Sequence, residues 1–127
     1  MIRIAVCDDE NVIVNQIEHI ISEVCKRESI PVNIDVFYSG RELKRQVTSG
    51  TKYDIIFLDI QMKGGDGITA AENIRKVDDN VLLIYVSGYD KYMMELFRLD
   101  VFGFIKKPID EEILTCLLYT SPSPRDS

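Results

Sequence analysis

Short apolar runs alternate along the first 115 residues with longer segments in which apolar residues recur every three or four positions. The short runs indicate strands that are buried on both faces, and the longer segments indicate amphipathic helices. The predicted strands are residues 1–7, 32–36, 53–59, 81–86 and 101–105, and the predicted helices are residues 11–27, 40–50, 67–77, 90–99 and 109–115. The pattern is therefore a strand followed by a helix, five times.

This alternation predicts an α/β fold in which five parallel strands carry helices on both faces, because right-handed crossovers place successive helices against the sheet. The second strand differs from the others, since Val32, Ile34 and Val36 alternate with polar residues. Such a period of two indicates a half-covered strand at the edge of the sheet. Ser39 and Glu42 have the spacing of a capping box, which predicts that the second helix starts near Gly40.

Polar residues stand where four of the five strands end. Asp8 and Asp9 follow the first strand, Asp59 ends the third, Ser87 follows the fourth and Lys107 follows the fifth. The carboxyl ends of parallel strands share one edge of the sheet, so these side chains are expected to meet. Three neighbouring carboxylates repel unless a cation such as Mg²⁺ neutralises them. An aspartate can attack a phosphoryl group, whose oxygens need positive and hydrogen-bonding partners. We therefore predict that Asp59 accepts a phosphoryl group.

The composition excludes several other classes of protein. The 127 residues suffice for one domain, and a net charge of −6 disfavours direct nucleic-acid binding. The three cysteines lack CxxC spacing, so neither a disulfide framework nor a zinc site is expected. No apolar run is long enough to span a membrane, and the first residues lack the order of a signal peptide. A cytoplasmic location is expected.

With these motifs the sequence resembles the CheY-like receiver domain of response regulators in two-component signalling. The resemblance covers residues 2–115 and rests on four stretches: residues 7–10, 58–62 with 66–67, 87–88 and 104–108. It implies a flavodoxin-like, doubly wound sheet of five parallel strands in the order 2-1-3-4-5.

The resemblance also implies a metal site. Asp59 would be the phosphoacceptor and one of the ligands of Mg²⁺. Asp9 would bind the ion directly, and Asp8 would lie close by or act through a water molecule. Gln61 would offer its backbone carbonyl to the metal.

A second set of residues would respond to the phosphoryl group. Lys107 would pair with its oxygens, and Ser87 would form a hydrogen bond to it and move with it. Phe104 would be the aromatic switch that rotates inward, although it lacks the hydroxyl of the usual tyrosine. The peptide bond between Lys107 and Pro108 is a candidate for the cis form.

The implied function is a phosphorylation-dependent switch rather than an enzyme. The partner would be a sensor histidine kinase, and phosphorylation would shift the fourth helix and fifth strand. The face of the fourth helix, fifth strand and fifth helix would then form a homodimer. Residues 89–92 and 97–108 are most similar to regulators with a LytTR-type DNA-binding domain. Such a domain would follow residue 120 and is missing here, so DNA contact and transcriptional control would depend on it.

Three alternatives remain open. A degenerate receiver would act only as an interaction module, and the complete set of Asp8, Asp9, Asp59, Ser87 and Lys107 argues against it. The loop at residues 63–65 departs from the family in another way, since Lys63 replaces a proline and two glycines follow. A metal-dependent aspartyl-phosphate hydrolase would need a second acid where Gln61 stands. A flavodoxin-like cofactor binder would need a phosphate-binding loop where Asp8 and Asp9 stand.

Residues 116–127 differ in character from the rest of the chain, because serine and proline interrupt the helical pattern. They resemble the translation of a sequencing adapter. We therefore expect a receiver domain at residues 1–115, truncated in its fifth helix, and a tail that is not native. The alternative is a linker to a following domain.

Overall fold

The computed structural model describes residues 1–60, 62, 67–88 and 103–120. Its elements, in chain order, are β1 (Ile2–Cys7), α1 (Asn11–Arg27), β2 (Val32–Phe37), α2 (Gly40–Thr48), β3 (Ile55–Asp59), α3 (Gly67–Val77), β4 (Leu82–Ser87), β5 (Gly103–Lys106) and α4 (Glu111–Thr120). Helix α4 corresponds to the predicted fifth helix, since the segment predicted as the fourth lies outside the described residues.

The five strands form one parallel sheet in the order β2-β1-β3-β4-β5, which confirms the predicted fold class. Strand β2 lies at the edge, as its alternating pattern predicted. The register aligns the strand ends, with Asp59 opposite Val86 and Ser87 opposite Lys106. The polar residues that follow these strands therefore lie along a common edge.

Two apolar cores cover the two faces of the sheet. On one face, Ala5 and Cys7 of β1 pack in a cluster with residues of α2 and α3. On the other, Ile4 and Val6 pack in a cluster with residues of α1 and α4. Every residue of β3 is buried. This is why the central strand reads as an unbroken apolar run that ends in a charged residue.

The helix ends follow local chemistry. Ser39 caps α2, and its hydroxyl oxygen accepts the backbone N–H of Glu42 at 3.2 Å, as the capping-box spacing predicted. Val77 at the end of α3 lies three residues after the buried Ile74, a spacing typical of the inner face of a helix, yet 48% of its surface is exposed. The helix ends there, and the next residue, Asp78, takes the buried position and accepts the N–H of Asn80 at 2.9 Å.

Asp110 precedes the first residue of helix α4, and its carboxylate accepts the N–H of Glu112 at 2.9 Å. The helix continues past residue 115 to Thr120, and Leu117 and Leu118 pack against the cluster beneath α1. The domain boundary at residue 115 stays a prediction. Among the described residues, no helix has the length and apolar character needed to cross a membrane.

Candidate functional site

Asp59 lies at the buried end of β3, directly beside the start of α3. The chain returns to this strand at Gly67, whose N–H donates to the carbonyl of Ile60 at 2.9 Å. A Cβ atom at Gly67 would overlap the backbone carbonyl of Asp59, so no larger residue fits without a shift of the backbone. This close approach brings the start of α3 against the strand end that carries Asp59.

Asp8 and Asp9 come from the end of β1. The N–H of Asp8 donates to the carbonyl of Phe37 at 3.1 Å and extends the pairing with β2. One carboxylate oxygen of Asp8 accepts the N–H of Glu10 at 2.9 Å, which turns the chain into α1. Carboxylate oxygens of Asp8, Asp9 and Asp59 all lie within 4.8 Å of one another. The three acids singled out in the sequence therefore do converge.

Lys107 enters the same cluster from the end of β5. Its backbone N–H donates to the carbonyl of Ser87 at 2.9 Å, and its peptide bond to Pro108 is cis, as the resemblance implied. The side-chain Nζ lies 3.1 Å from Asp8 Oδ2, 3.0 Å from Glu10 Oε2 and 3.4 Å from Asp59 Oδ2. One ammonium group thus links the ends of β1, β3 and β5.

The electrostatics of this cluster reflect its burial. Burial raises the pKa of the Asp8 carboxyl, and the N–H of Glu10 and the charge of Lys107 oppose this only in part. Burial by itself would lower the pKa of the Lys107 ammonium. Its hydrogen bond to Glu10 and the charges of Asp59 and Asp8 outweigh burial, so the pKa of Lys107 is raised. Lys107 is held firmly protonated, yet it does not compensate all of the neighbouring negative charge.

The donor set fits a hard divalent cation such as Mg²⁺. All three acids offer carboxylate oxygens, the ligand type that Mg²⁺ prefers. The ligand oxygens of an octahedral Mg²⁺ are about 2.9 to 4.2 Å apart, and the three carboxylates place oxygens within 4.8 Å of one another, close to that spacing. Asp8, Asp9 and Asp59 could therefore hold the ion. Gln61, the expected fourth contributor, lies outside the described residues.

The two expected switch residues lie on neighbouring strands. Ser87 is the buried last residue of β4, and its carbonyl accepts the N–H of Lys107. Phe104 of β5 is opposite Tyr85 of β4 and packs, partly buried, against the cluster of α2 and α3. Their position beside the acids is observed, and their roles stay predictions.

Glu10 is the residue in this cluster that the sequence reasoning missed. Its contact with Lys107, 97 positions away, has no local signature in the sequence. The order of the residues could still have indicated it, because the residue after Asp9 lies at the same edge of the sheet as Lys107.

Cys7 packs beneath the site and shows none of the features of a reactive thiol. Its Sγ donates to the carbonyl of Ser39 at 3.4 Å and lies 3.7 Å from Sδ of Met62. Burial raises the pKa of this thiol, and the charge of Asp8 raises it further. Cys7 therefore acts as a small buried side chain that joins β1 to the loop after β3.

The comparison with protein families gives one match over most of the chain. The family described as the response regulator receiver domain matches residues 4–118. A sensory transduction protein LytT from Bacillus anthracis is 29% identical over 112 residues, covering 88% of this chain and 44% of the relative. The chain thus spans less than half of the length of this curated relative.

Solved structures show the same fold. The REC domain of AraT, a response regulator from Geobacillus stearothermophilus, matches with a TM-score of 0.77 and 27% identity, covering 94% of this chain and 91% of that one. The response regulatory domain of mrkE from Klebsiella pneumoniae matches with a TM-score of 0.83 and 22% identity, covering 94% of each chain. These matches are to chains of similar extent, so the similarity concerns the whole sheet and its helices.

Proposed function

Because this chain belongs to the response regulator receiver domain family, we propose that it is a phosphorylation-dependent switch in which Asp59 accepts the phosphoryl group. The observation that carries this proposal is the meeting of Asp8, Asp9, Asp59 and Lys107 at one edge of the sheet. Receiver domains of response regulators are signalling proteins rather than classical enzymes, so the chemistry would be limited to gain and loss of its own phosphoryl group.

The donor would be a phosphohistidine of a sensor histidine kinase. A carboxylate oxygen of Asp59 forms a bond to phosphorus as the phosphorus–nitrogen bond breaks, and the electron pair stays on the imidazole, which takes up a proton. Bound Mg²⁺ would neutralise charge on the carboxylates and on the phosphoryl oxygens. Asp8 and Asp9 would hold the ion on the side of β1, and Gln61 would add its backbone carbonyl.

Lys107 and Ser87 would bind the negatively charged phosphoryl group. The Lys107 ammonium is 3.4 Å from Asp59, within reach of a phosphoryl oxygen on that residue. Ser87 would turn its hydroxyl toward the same group. The backbone hydrogen bond between Ser87 and Lys107 means that a shift of either residue is felt by the other. This bond is the proposed route from the site to β5.

The output would follow from a two-state change in this part of the sheet. Phe104 lies two pairs away from Ser87 and Lys106 in the β4–β5 register, and it would rotate inward as Ser87 moves. The segment predicted as the fourth helix, together with β5 and α4, would form a homodimer or release an output domain. In a LytTR-type regulator that domain would bind DNA and control transcription. The chain would work in the cytoplasm with no membrane partner.

The test is phosphorylation by acetyl phosphate, followed by intact-mass measurement. We expect a gain of one phosphoryl group that requires Mg²⁺ and is lost in Asp59→Asn. Asp79→Asn is the matched control, since it removes an exposed acid on the turn after α3 and is expected to behave as wild type.

Three results would contradict the proposal. Phosphorylation that survives Asp59→Asn would place the acceptor elsewhere. Failure of the wild-type chain to bind Mg²⁺ would favour a receiver that acts only as an interaction module. Continuous turnover of a phosphate ester would favour a hydrolase.

A further inference from the structure

We propose that Glu10 is a positioning residue that acts through Lys107. Its carboxylate occupies one N–H of the Lys107 ammonium in the unphosphorylated protein, and a phosphoryl oxygen takes over that N–H when Asp59 is modified. This inference rests on the proposed function, because it needs Asp59 to be the acceptor. It assigns to Glu10 a role in setting how readily the switch is turned on.

The geometry around Nζ of Lys107 shows why a phosphoryl oxygen must compete with a carboxylate for this ammonium group. An ammonium group has three N–H donors, and three carboxylates lie around Nζ of Lys107 at 3.0 to 3.4 Å. They come from Asp8, Glu10 and Asp59. Of these contacts, the one to Glu10 Oε2 at 3.0 Å is a hydrogen bond, whereas the buried Asp8 Oδ2 lies at ion-pair distance and accepts no hydrogen bond from the described residues. An arriving phosphoryl oxygen therefore competes for an N–H of Lys107 that Glu10 already holds.

Burial identifies the carboxylate that withdraws. The Asp8 and Asp59 side chains are only 1% and 4% exposed, whereas that of Glu10 is 59% exposed. A buried carboxylate that loses its cation stays without water, which is costly, whereas an exposed one is hydrated at once. Asp8 and Asp59 also belong to the proposed metal site. Glu10 is therefore the partner that Lys107 can release at the smallest cost.

The charge of Glu10 gives the inference a distinctive signature. Removing this negative charge should favour an incoming anionic phosphoryl group, both by freeing Lys107 and by reducing repulsion. The same removal should weaken or leave unchanged the attraction for Mg²⁺, since a nearby carboxylate attracts cations. A variant that merely disturbed the fold would lower the affinity for both ligands. A gain in affinity for the anion without a gain in affinity for Mg²⁺ thus distinguishes positioning from damage.

The experiment measures the affinity of the full chain for beryllofluoride at saturating Mg²⁺ and, separately, its affinity for Mg²⁺ alone. We expect Glu10→Gln to bind beryllofluoride more tightly, by up to about fivefold, the scale of an exposed ion pair. Its affinity for Mg²⁺ should be equal or lower. Glu10→Asp keeps the charge but shortens the side chain, so its gain for beryllofluoride should be smaller.

A readout without any ligand completes the test. The side-chain ¹⁵N resonance of Lys107, identified by its loss in Lys107→Met, should shift in metal-free Glu10→Gln. Glu23→Gln is the charge-matched control because it removes an exposed acid of α1 away from the sheet edge, and it should alter neither affinity nor the resonance.

The outcomes separate the two proposals. If wild-type protein binds no beryllofluoride, the proposed function fails and this inference fails with it. If wild-type protein binds beryllofluoride and Glu10→Gln binds it equally or more weakly, the inference about Glu10 is wrong while the proposed function stands. An unchanged Lys107 resonance in Glu10→Gln would also overturn the inference.

Discussion

Among the described residues, the Arg3 cluster and the Lys107 cluster differ in how their charges balance. In the Arg3 cluster, formed by Arg3, Asp35 and Tyr53, one guanidinium lies 3.6 Å from one carboxylate. The Tyr53 hydroxyl donates to the same carboxylate oxygen at 2.7 Å, and the guanidinium lies 5.4 Å from the centre of the Tyr53 ring. Each charge has one opposite partner, and both ionic side chains keep contact with water, at 43% and 34% exposure.

In the Lys107 cluster, formed by Lys107, Asp8, Glu10 and Asp59, one ammonium faces three carboxylates, and Asp9 lies beside them. Asp8 and Asp59 are buried, so their excess charge cannot be dispersed by solvent. This difference distinguishes a charged cluster that only supports the fold from one that can bind a ligand. A balanced, half-exposed ion pair needs nothing more, whereas a buried excess of one charge calls for a ligand of the opposite charge.

The largest expected effect comes from removing the cation of the unbalanced cluster. We expect metal-free Lys107→Met to lose about 3 kcal/mol of unfolding free energy at neutral pH, because buried carboxylates lose their partner. Mg²⁺ should restore much of this loss. Urea unfolding with EDTA and with Mg²⁺ measures both quantities. Arg3→Met is the matched variant of the balanced cluster and should lose less than about 1 kcal/mol, with no restoration by Mg²⁺.

The pH dependence of this loss follows from the pKa shifts. Lys107 lowers the pKa of Asp8, so in Lys107→Met that pKa should lie still further above its ordinary value of 3.8. A carboxyl whose pKa is higher in the folded than in the unfolded chain destabilises the folded state as the pH rises from its unfolded pKa to its folded pKa. The penalty of Lys107→Met should therefore shrink on acidification. The pKa of Lys107 itself is raised, so its contribution is lost only above its ordinary value of 10.5. A penalty that grew toward acid would contradict the assignment.

The second prediction concerns the cation that the excess charge should attract. Mg²⁺ at about 100 times its Kd should stabilise the wild-type chain by about 2.7 kcal/mol. Asp9→Asn should abolish most of this gain, because a proposed ligand is lost. Asp35→Asn removes one acid from the Arg3 cluster instead and should keep the gain. Thermal unfolding across a Mg²⁺ titration measures it, and an equal loss in both variants would remove the distinction between the clusters.

The two clusters also show which contacts could be predicted from the sequence and which could not. The meeting of Asp59 with Asp8 and Asp9 followed from the strand ends, because parallel strands share their carboxyl edge. The order of the strands followed from the resemblance to receiver domains. The Arg3 cluster could not be predicted, since its members lie at or beside three different strands and no local pattern joins them. Glu10 escaped for a related reason: contact with Lys107 depends on the reach of two long side chains, which sequence spacing does not determine.

Val77 shows a limit of periodicity at the end of a helix. Its spacing from Ile74 fits the inner face of a helix, but the helix ends there and Asp78 takes the buried place. The spacing of apolar residues predicts which face of a helix is buried. It does not predict which residue at the end of the helix is covered by the neighbouring elements.

The smallest expected effect lies in the balanced cluster. Tyr53→Phe removes the hydrogen bond to Asp35 and should cost about 1 kcal/mol of unfolding free energy. The cost stays modest because Asp35 keeps Arg3 within 3.6 Å and partial access to water. Tyr38→Phe alters an exposed tyrosine and should have no measurable effect in the same urea titration. Since the Arg3 cluster is complete by itself, Tyr53→Phe should leave the affinities for Mg²⁺ and beryllofluoride unchanged. A change in either affinity would mean that the balanced cluster takes part in the switch.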